Sequence, residues 1–367
     1  MNNQTNHQGR NPEARPVSRE GANVKPRPSV RNPKNVAAPK PNRFKAKGKQ
    51  SGGNNNAPQS SYDALTPSLA WQLAAPQTWA AALTPVLLSI TYCGITYSGK
   101  MNLLLALVLL AICVFMQSAA NVFNDYADYK KGTDSLENSS KDAFDAVLVY
   151  NKLNPKAVLA LGISYLVVAG ALGIYIVYAT DFIPLIIGVV GALTIVLYSG
   201  GKTPISHLPI GEFVSGIVMG GLIPLACCYV LSGVLEPLVL LVALPCIIGI
   251  GLIMATNNTC DIEKDLEAGR KTLAGHLGRT GAVNTYRAVV IAWIVVIIAI
   301  IGIFYSAGMP VVAIMLLSIF PTLRALFKNP MIQASRDGAM AQIGALNITL
   351  TAFYCLALAC SKFIVWL

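Results

Sequence analysis

The chain has 367 residues, of which 54% are hydrophobic and only 12% are charged, and its mean hydropathy is +0.55. Soluble globular domains carry about 25% charged residues, so a water-soluble chain of this length would lack the polar groups needed to cover its surface. The composition therefore excludes a soluble globular protein and indicates a polytopic membrane protein.

Positive charge is concentrated at the N-terminus. Residues 1–60 contain 12 of the 28 lysines and arginines but only two acids, whereas the rest of the chain has 16 basic and 15 acidic residues. Because residues 1–62 have few large apolar side chains and are rich in Asn, Pro, Gly, Lys and Arg, we expect a disordered basic cytoplasmic tail. Such a tail is expected to contact anionic lipid headgroups of the bilayer. No motif in it supports specific nucleic-acid binding.

From residue 77 onward, long apolar runs alternate with short polar connections. Crossing the hydrocarbon core takes about 20 helical residues, and nine runs approach or exceed this length. They lie at about 77–98, 101–123, 156–179, 182–199, 211–233, 236–257, 283–306, 308–327 and 342–366. A lipid-facing backbone must satisfy its own hydrogen bonds, so the runs are predicted to be helices. The predicted fold is an all-α domain of nine transmembrane helices over residues 63–367.

The basic residues also predict an orientation in the membrane. Beyond residue 62, 14 of the 16 lysines and arginines lie in the connections that follow even-numbered runs or at the adjoining ends of the runs. The positive-inside rule places these connections and the basic tail in the cytoplasm. We therefore expect a multi-pass plasma-membrane protein whose N-terminus is cytoplasmic and whose C-terminus lies on the opposite side.

Acidic residues cluster on the same predicted face, which the positive-inside rule does not explain. The first cluster, NVFNDYADYKKGTD at 121–134, follows the second apolar run. Asn121, Asp125 and Asp128 are spaced i, i+4 and i+7, which places them on one face of a continued helix.

The second acidic cluster, NNTCDIEKDLEAGRKTLA at 257–274, follows the sixth apolar run. Asn257, Asp261 and Asp265 are spaced i, i+4 and i+8 and are expected on one face of a continued helix. Asn121 and Asn257 are 136 residues apart, and so are Asp125 and Asp261. This spacing indicates equivalent positions in two four-helix units.

Paired carboxylates at a membrane surface require cations, because like charges brought together raise one another's pKa and repel. Oxygen ligands suit Mg²⁺, which uses one or two carboxylates and shares its remaining positions with water and substrate phosphates. Lys131, Lys202, Arg270 and Lys271 lie in the same connections and can hold phosphate oxygens. A diphosphate above an apolar helix bundle is the head group expected of a prenyl diphosphate.

At these positions the sequence resembles the UbiA superfamily of intramembrane aromatic prenyltransferases, over residues 70–367. The matching segments are Asn124-Asp125-x-x-Asp128 with Lys131-Gly132-x-Asp134, Tyr198-Ser-Gly-Gly-Lys202, and Asn257-Asn258-x-x-Asp261-x-x-x-Asp265 followed by Arg270-Lys271. The Asn-Asn pair and the Tyr-x-Gly-Gly run resemble the branch that prenylates 1,4-dihydroxy-2-naphthoate for menaquinone.

The resemblance implies a Mg²⁺-dependent transfer of a polyprenyl group from polyprenyl diphosphate to an aromatic acceptor. It implies that the catalytic and metal-binding residues are Asp125, Asp128, Asp261 and Asp265. The substrate-binding residues that it implies are Asn121, Asn124, Lys131, Asp134, Tyr198, Lys202, Asn257, Asn258, Arg270 and Lys271. With 1,4-dihydroxy-2-naphthoate as acceptor, the product is demethylmenaquinone and the ring carboxylate leaves as CO₂.

Two departures from that branch leave the acceptor open. Cys260 stands where the branch usually carries an arginine, and residues 142–155 contain no arginine where one is usual. The alternatives within the superfamily are 4-hydroxybenzoate, homogentisate, haem or a non-aromatic alcohol. The sequence does not specify the length of the prenyl chain.

A cation-coupled transporter is the alternative outside enzymology. Transporter acids are expected near the bilayer midplane on broken helices, whereas the acids of this chain cluster at one predicted surface. This difference favours the enzyme. Lys130, Lys264 and Glu267, which lie within the acidic clusters, are expected to be plain surface charges.

Overall fold

A computed structural model describes residues 62–97, 101–132 and 146–363. Nearly all of the predicted tail lies outside these ranges, as do Asp134 and the first part of the arginine-free stretch, residues 142–145. Within the described ranges the protein is helical, apart from one parallel bridge between Asp63 and Leu153. The predicted all-α class is confirmed for this part of the chain.

The helices are numbered in chain order. They are α1 Pro67–Ala74, α2 Ala80–Thr96, α3 Leu103–Lys131, α4 Val147–Tyr150, α5 Pro155–Ala179, α6 Ile183–Ser199, α7 Gly211–Ser232, α8 Leu244–Cys260, α9 Ile262–Glu267, α10 Leu273–Phe304, α11 Met309–Lys328 and α12 Arg336–Phe363. Single helical turns at Pro76–Thr78, Ile205–His207, Val239–Val242, Ser306–Gly308 and Gln333–Ser335 complete the described elements.

Six helices of the described chain are long and apolar enough to cross a membrane, namely α3, α5, α7, α10 and the segments that contain α11 and α12. Pro67–Thr78 and Ala80–Thr96 form a further candidate span, bent by 54°. The shorter helices α6 and α8 are also apolar. Each of the nine runs predicted from the sequence falls on one of these helices or on the bent pair. The chain is therefore a multi-pass membrane protein.

The first acidic motif lies on the last turns of α3, as predicted. This helix begins at an Asn102 cap, whose side chain accepts a hydrogen bond from the backbone N–H of Leu104 at 2.9 Å. It continues through the motif to Gly132, which has φ 71°. Glycine adopts this left-handed conformation without steric cost, so it ends the helix.

The second motif crosses a helix break, so the prediction of one continued helix is wrong here. The helix α8 ends at Cys260, and α9 begins at Ile262 after Asp261. The backbone N–H of Asp261 still donates to the carbonyl of Asn257 at 3.0 Å, and that of Asp265 to the carbonyl of Asp261 at 2.8 Å. These bonds preserve the i to i+4 spacing, so the motif stays compact across the break.

Close packing of α7 against α8 fixes the position of the second motif. A Cβ atom added at Gly216 would lie 2.6 Å from the carbonyl oxygen of Ile247, and one at Gly220 would lie 2.5 Å from its Cα. Small residues let helix backbones approach closely in lipid. On the other side of α8, Gly249 packs against Trp293 of α10, so α8 is held from two directions.

A smaller apolar cluster supports the first motif. It contains the buried side chains Leu73, Val122, Val147, Leu148, Leu153 and Val158. These residues pack α1 and α4 against α3. The backbone N–H of Asp63 donates to the carbonyl of Lys152 at 3.2 Å and joins the same region to the start of α1.

Candidate active site

The four motif aspartates line one end of a single large chamber. The chamber has a volume of about 990 Å³ and is bounded mainly by α2, α3, α5, α6, α7, α8 and α12. Most of its lining side chains are apolar. Tyr198 and Arg270 also line it, as do all four motif asparagines. The structure therefore brings together residues from both acidic motifs and Tyr198 from the end of α6.

Asp125 is engaged by the backbone at the start of α4. Its Oδ2 accepts a hydrogen bond from the N–H of Val147 at 3.1 Å, and its Oδ1 accepts one from the N–H of Leu148 at 3.3 Å. The first N–H groups of a helix have no partner within the helix, so this buried carboxylate caps them. Asp125 therefore has a structural contact that the sequence did not predict.

Arg270 joins the two acidic motifs. Its Nη2 lies 2.5 Å from Oδ1 of Asp128, and its Nη1 lies 3.4 Å from Oδ1 of Asp265. Burial raises the pKa of Asp265 to about 7; the charges of Asp261 and Asp128 act in the same direction, and those of Arg270 and Lys264 oppose it. Gly269, at φ 73°, ends α9 and turns the chain toward this position.

Arg336, at the start of α12, was not predicted as a site residue. Its Nε lies 3.0 Å from Oδ2 of Asp261, and it also donates to Oδ1 of Asn257 from Nε at 2.9 Å and from Nη2 at 2.6 Å. Its only signal in the sequence was its place in the connection before the last apolar run. Cys260, by contrast, is fully buried. Lys264 lines the chamber, so the expectation of a plain surface charge is wrong.

Glu212 contacts the second asparagine of the Asn-Asn pair. Nδ2 of Asn258 donates to Oε1 of Glu212 at 2.8 Å, and both side chains are buried. The other carboxylate oxygen, Oε2, is buried and has no hydrogen-bond partner among the described residues. The hydroxyl of Tyr198 likewise has no such partner in the described ranges.

The asparagines of the first motif connect helices. Nδ2 of Asn121 donates to the carbonyl of Ala74 and to Oγ1 of Thr78, each at 2.8 Å, and its Oδ1 accepts from Gln117 at 3.2 Å. Asn124 donates to Asp128 within its own helix at 3.3 Å and accepts from the Ser199 hydroxyl at 3.1 Å. Their amide groups are thus largely occupied by protein contacts.

Three of the predicted cationic residues lie outside the chamber lining. Nζ of Lys131 donates to the carbonyl of Ser199 at 2.6 Å, and with Lys202 and His207 it lines a separate polar cavity of about 520 Å³. Lys271 is exposed, and its backbone N–H donates to the carbonyl of His207 at 2.9 Å. Burial lowers the pKa of His207 to about 4. The charges of Arg270 and Lys131 act in the same direction, and the charge of Asp128 opposes them. His207 is therefore neutral at physiological pH.

The donor set at the polar end fits Mg²⁺ in its chemistry. Among the described residues, no three carboxylate, histidine or cysteine side chains are grouped closely enough to hold a metal ion. Each motif nevertheless supplies a pair of carboxylates, and Mg²⁺ in proteins uses one or two. Oδ2 of Asp265 is buried and has no hydrogen-bond partner among the described residues, which leaves a hard oxygen atom at the chamber.

An apolar chamber with carboxylates and arginines at one end defines an intramembrane site for a molecule with an anionic head and an apolar body. Residues 66–361 match the UbiA prenyltransferase family, and the chain belongs to this family. It is therefore a prenyltransferase, and the family predicted from the motifs is confirmed. Membership of this enzyme family removes the basis for the transporter alternative.

Individual relatives agree with this assignment. The chain is 37% identical over 228 residues to 1,4-dihydroxy-2-naphthoate octaprenyltransferase of Bacillus subtilis, covering 61% of this chain and 72% of that protein. It is 32% identical over 209 residues to UbiA prenyltransferase domain-containing protein 1 of Danio rerio, covering 56% of this chain and 60% of that protein. A UbiA homolog from Archaeoglobus fulgidus bound to GPP and Mg²⁺ shares the fold, with a TM-score of 0.58 and 15% identity over 79% of this chain and 99% of that one.

Proposed function

We propose that the protein transfers a polyprenyl group from polyprenyl diphosphate to 1,4-dihydroxy-2-naphthoate, in a Mg²⁺-dependent reaction that releases diphosphate and CO₂ and yields demethylmenaquinol, the reduced form of demethylmenaquinone. One observation carries the proposal: four aspartates and two arginines lie at one end of an apolar chamber of about 990 Å³. An anionic head bound at that end would leave its prenyl tail among apolar side chains. The acceptor is supported by the likeness to the Bacillus subtilis enzyme.

Asp125, Asp128, Asp261 and Asp265 are the residues that would hold Mg²⁺. When bound, Mg²⁺ acts as a Lewis acid that neutralises the negative charge developing on the leaving diphosphate. Arg270 already lies between carboxylates of the two motifs, at 2.5 and 3.4 Å. Its guanidinium is placed to share phosphate charge through several N–H donors.

The rest of the chamber binds and shields the reacting groups. The apolar walls exclude water, which would otherwise capture the allylic cation left when the C–O bond breaks. Tyr198 lines the chamber and can offer an aromatic face to that cation. An electron-rich ring carbon of the acceptor then attacks the cation, and the ring carboxylate leaves as CO₂.

Arg336 supplies a cation that the family resemblance expects at position 260. It contacts Asp261 and Asn257 from α12, whereas Cys260 itself is fully buried. The charge at this end of the chamber is thus retained although its position in the sequence differs. This contact supports an acidic aromatic acceptor despite the missing arginine. The roles of Lys131, Lys202, Lys271 and the first-motif asparagines stay predictions.

We further propose that all nine apolar helical segments cross the plasma membrane, with the acidic motifs on the cytoplasmic side. Residues 1–62 would then be a cytoplasmic tail on anionic lipid, and residues 63–367 the prenyltransferase domain. Reporter fusions at the two termini test this topology. A cytoplasmic reporter at the N-terminus must be active and the same reporter at the C-terminus inactive; equal activity at both ends contradicts nine spans.

The test of function is prenyl transfer in membranes that contain the full chain. The assay supplies labelled all-trans polyprenyl diphosphate and Mg²⁺, with 1,4-dihydroxy-2-naphthoate, 4-hydroxybenzoate or homogentisate in parallel. We expect a lipid-soluble product with dihydroxynaphthoate alone, lost on adding EDTA and regained with excess Mg²⁺. Product with a different acceptor alone would retain prenyl transfer but refute the acceptor. Transfer that resists EDTA would refute the metal dependence.

A further inference from the structure

Two neighbouring asparagines at the end of α8 are held by partners of opposite charge. Arg336 donates two hydrogen bonds to Oδ1 of Asn257, at 2.9 and 2.6 Å. Glu212 accepts one hydrogen bond from Nδ2 of Asn258, at 2.8 Å. Both asparagines line the chamber.

These partners determine which amide group each asparagine presents. A guanidinium only donates hydrogen bonds, so it must face the oxygen of Asn257 and leave the amino group available. An ionised carboxylate only accepts, so Glu212 must face the amino group of Asn258 and leave the carbonyl available. The charged partners thereby settle the amide orientation, which is otherwise ambiguous for asparagine.

We propose that the carbonyl of Asn258 recognises a hydroxyl group of the aromatic acceptor and that Glu212 is the residue that positions it. The inference rests on the proposed function and adds a recognition site for the second substrate. The amino group of Asn257 then serves the diphosphate. A diphosphate offers only acceptor oxygens and requires donors, whereas a phenolic hydroxyl carries a proton and requires an acceptor.

The surroundings of Asn258 favour a hydroxyl group over the metal. Mg²⁺ in proteins typically uses one or two carboxylates together with water and phosphate, and four carboxylates already line the chamber. The hydrogen bond to Glu212 polarises the amide and makes its carbonyl a stronger acceptor. A phenolic hydroxyl is the donor that such a carbonyl binds.

A second polar group lies near Glu212. The hydroxyl of Tyr198 would be 3.3 Å from a Cβ atom at Gly211, the residue before Glu212. This hydroxyl has no hydrogen-bond partner among the described residues, and Tyr198 lines the same chamber. Tyr198 and Asn258 thus place two polar side chains near Glu212 in the lining of one chamber.

The deciding experiment compares Asn258→Leu with the matched neighbour Asn257→Leu, using the full chain in membranes. The acceptors are 1,4-dihydroxy-2-naphthoate and its two monomethyl ethers. In the wild type, the ether whose methyl group blocks the recognised hydroxyl should react far more slowly than 1,4-dihydroxy-2-naphthoate, the diol. Asn258→Leu should raise the KM for the diol about tenfold, which is the effect of losing one hydrogen bond. The variant should also lose the preference of the wild type for the diol over that ether. The KM values for polyprenyl diphosphate and Mg²⁺ should not change.

Asn257→Leu should show the opposite pattern, with a raised KM for polyprenyl diphosphate and an intact preference for the hydroxyl. Glu212→Gln is the conservative variant, because glutamine keeps the volume but can donate as well as accept. Asn258 is then free to turn, so the preference for the hydroxyl should fall about two- to fivefold without a change in the KM for polyprenyl diphosphate. This variant decides the question if Asn258→Leu does not accumulate in the membrane.

Three results would overturn the inference. In Asn258→Leu, a raised KM for polyprenyl diphosphate or Mg²⁺ with an intact preference for the hydroxyl would assign the carbonyl to the other substrate. Unchanged kinetics in Asn258→Leu would mean that the carbonyl recognises nothing. An unchanged preference in Glu212→Gln would remove the positioning role. All three leave wild-type transfer intact, whereas absence of transfer by the wild type refutes the proposed function itself.

Discussion

Replacing Arg270 with methionine removes the cation between the two acidic motifs and keeps most of the apolar length of the side chain. The side chains of Arg270 and Asp128 are each 12% exposed, and that of Asp265 is 3% exposed. Breaking a buried ion pair by removing one partner costs about 3–5 kcal/mol, because the remaining charge stays buried. For a chain of this size, such a loss lowers the unfolding temperature by about 4–7 °C.

The same substitution should increase the effect of Mg²⁺ on stability. In the wild type, Arg270 already pairs with Asp128 at 2.5 Å and lies 3.4 Å from Asp265, so Mg²⁺ must share these carboxylates with it. In Arg270→Met only an added cation can replace that charge, so Mg²⁺ should raise the unfolding temperature more in the variant than in the wild type. The measurement is thermal unfolding of the purified protein in detergent, with EDTA or with millimolar Mg²⁺.

Arg287→Met is the matched control. Arg287 is also partly buried, but it donates to the carbonyl of Phe327 at 2.7 Å and has no carboxylate partner among the described residues. Its loss should cost about 1 kcal/mol and should not change the effect of Mg²⁺. Equal Mg²⁺ effects in the wild type and Arg270→Met would refute the argument that Arg270 and the metal share these carboxylates.

Three further predictions concern stability and binding. Asp125→Ala and Asp125→Asn should both lower prenyl transfer about 100-fold or more, and near-normal turnover would contradict the catalytic role. The alanine variant should lose about 1–3 kcal/mol and the asparagine variant less, because the single carbonyl oxygen of asparagine can still accept from one of the two N–H groups of α4; equal stability of the wild type and both variants would contradict the cap. Gly220→Ala should destabilise the protein by about 1–3 kcal/mol in thermal unfolding, because its Cβ would meet the Ile247 backbone at 2.5 Å; Gly188→Ala, with no atom within 4 Å of the added Cβ, should not. Lys271→Ala should leave the KM for polyprenyl diphosphate within about twofold, since exposed charges contribute little; a larger rise would place this lysine on the substrate.

The sequence by itself determined the class of protein, the family and the chemical type of the site. Low charge and long, continuous apolar runs indicate membrane helices, because a helix satisfies the hydrogen bonds of a lipid-facing backbone within a single run. The spacing of Asp125 and Asp128 on α3 follows directly from helical geometry. The four catalytic candidates were therefore identifiable from local patterns, and the structure places all of them at one chamber.

The partners of those residues depend on contacts between distant segments. Arg336 reaches Asn257 across 79 positions, and Glu212 reaches Asn258 across 46. No local spacing rule predicts such contacts, because they depend on how α7 and α12 pack against α8. The helix break at Asp261 was also missed, since the pattern of polar residues continues across it. Tertiary packing thus decided which charges lie together and which amide groups face the chamber, because side-chain orientation depends on neighbours that only the folded chain supplies.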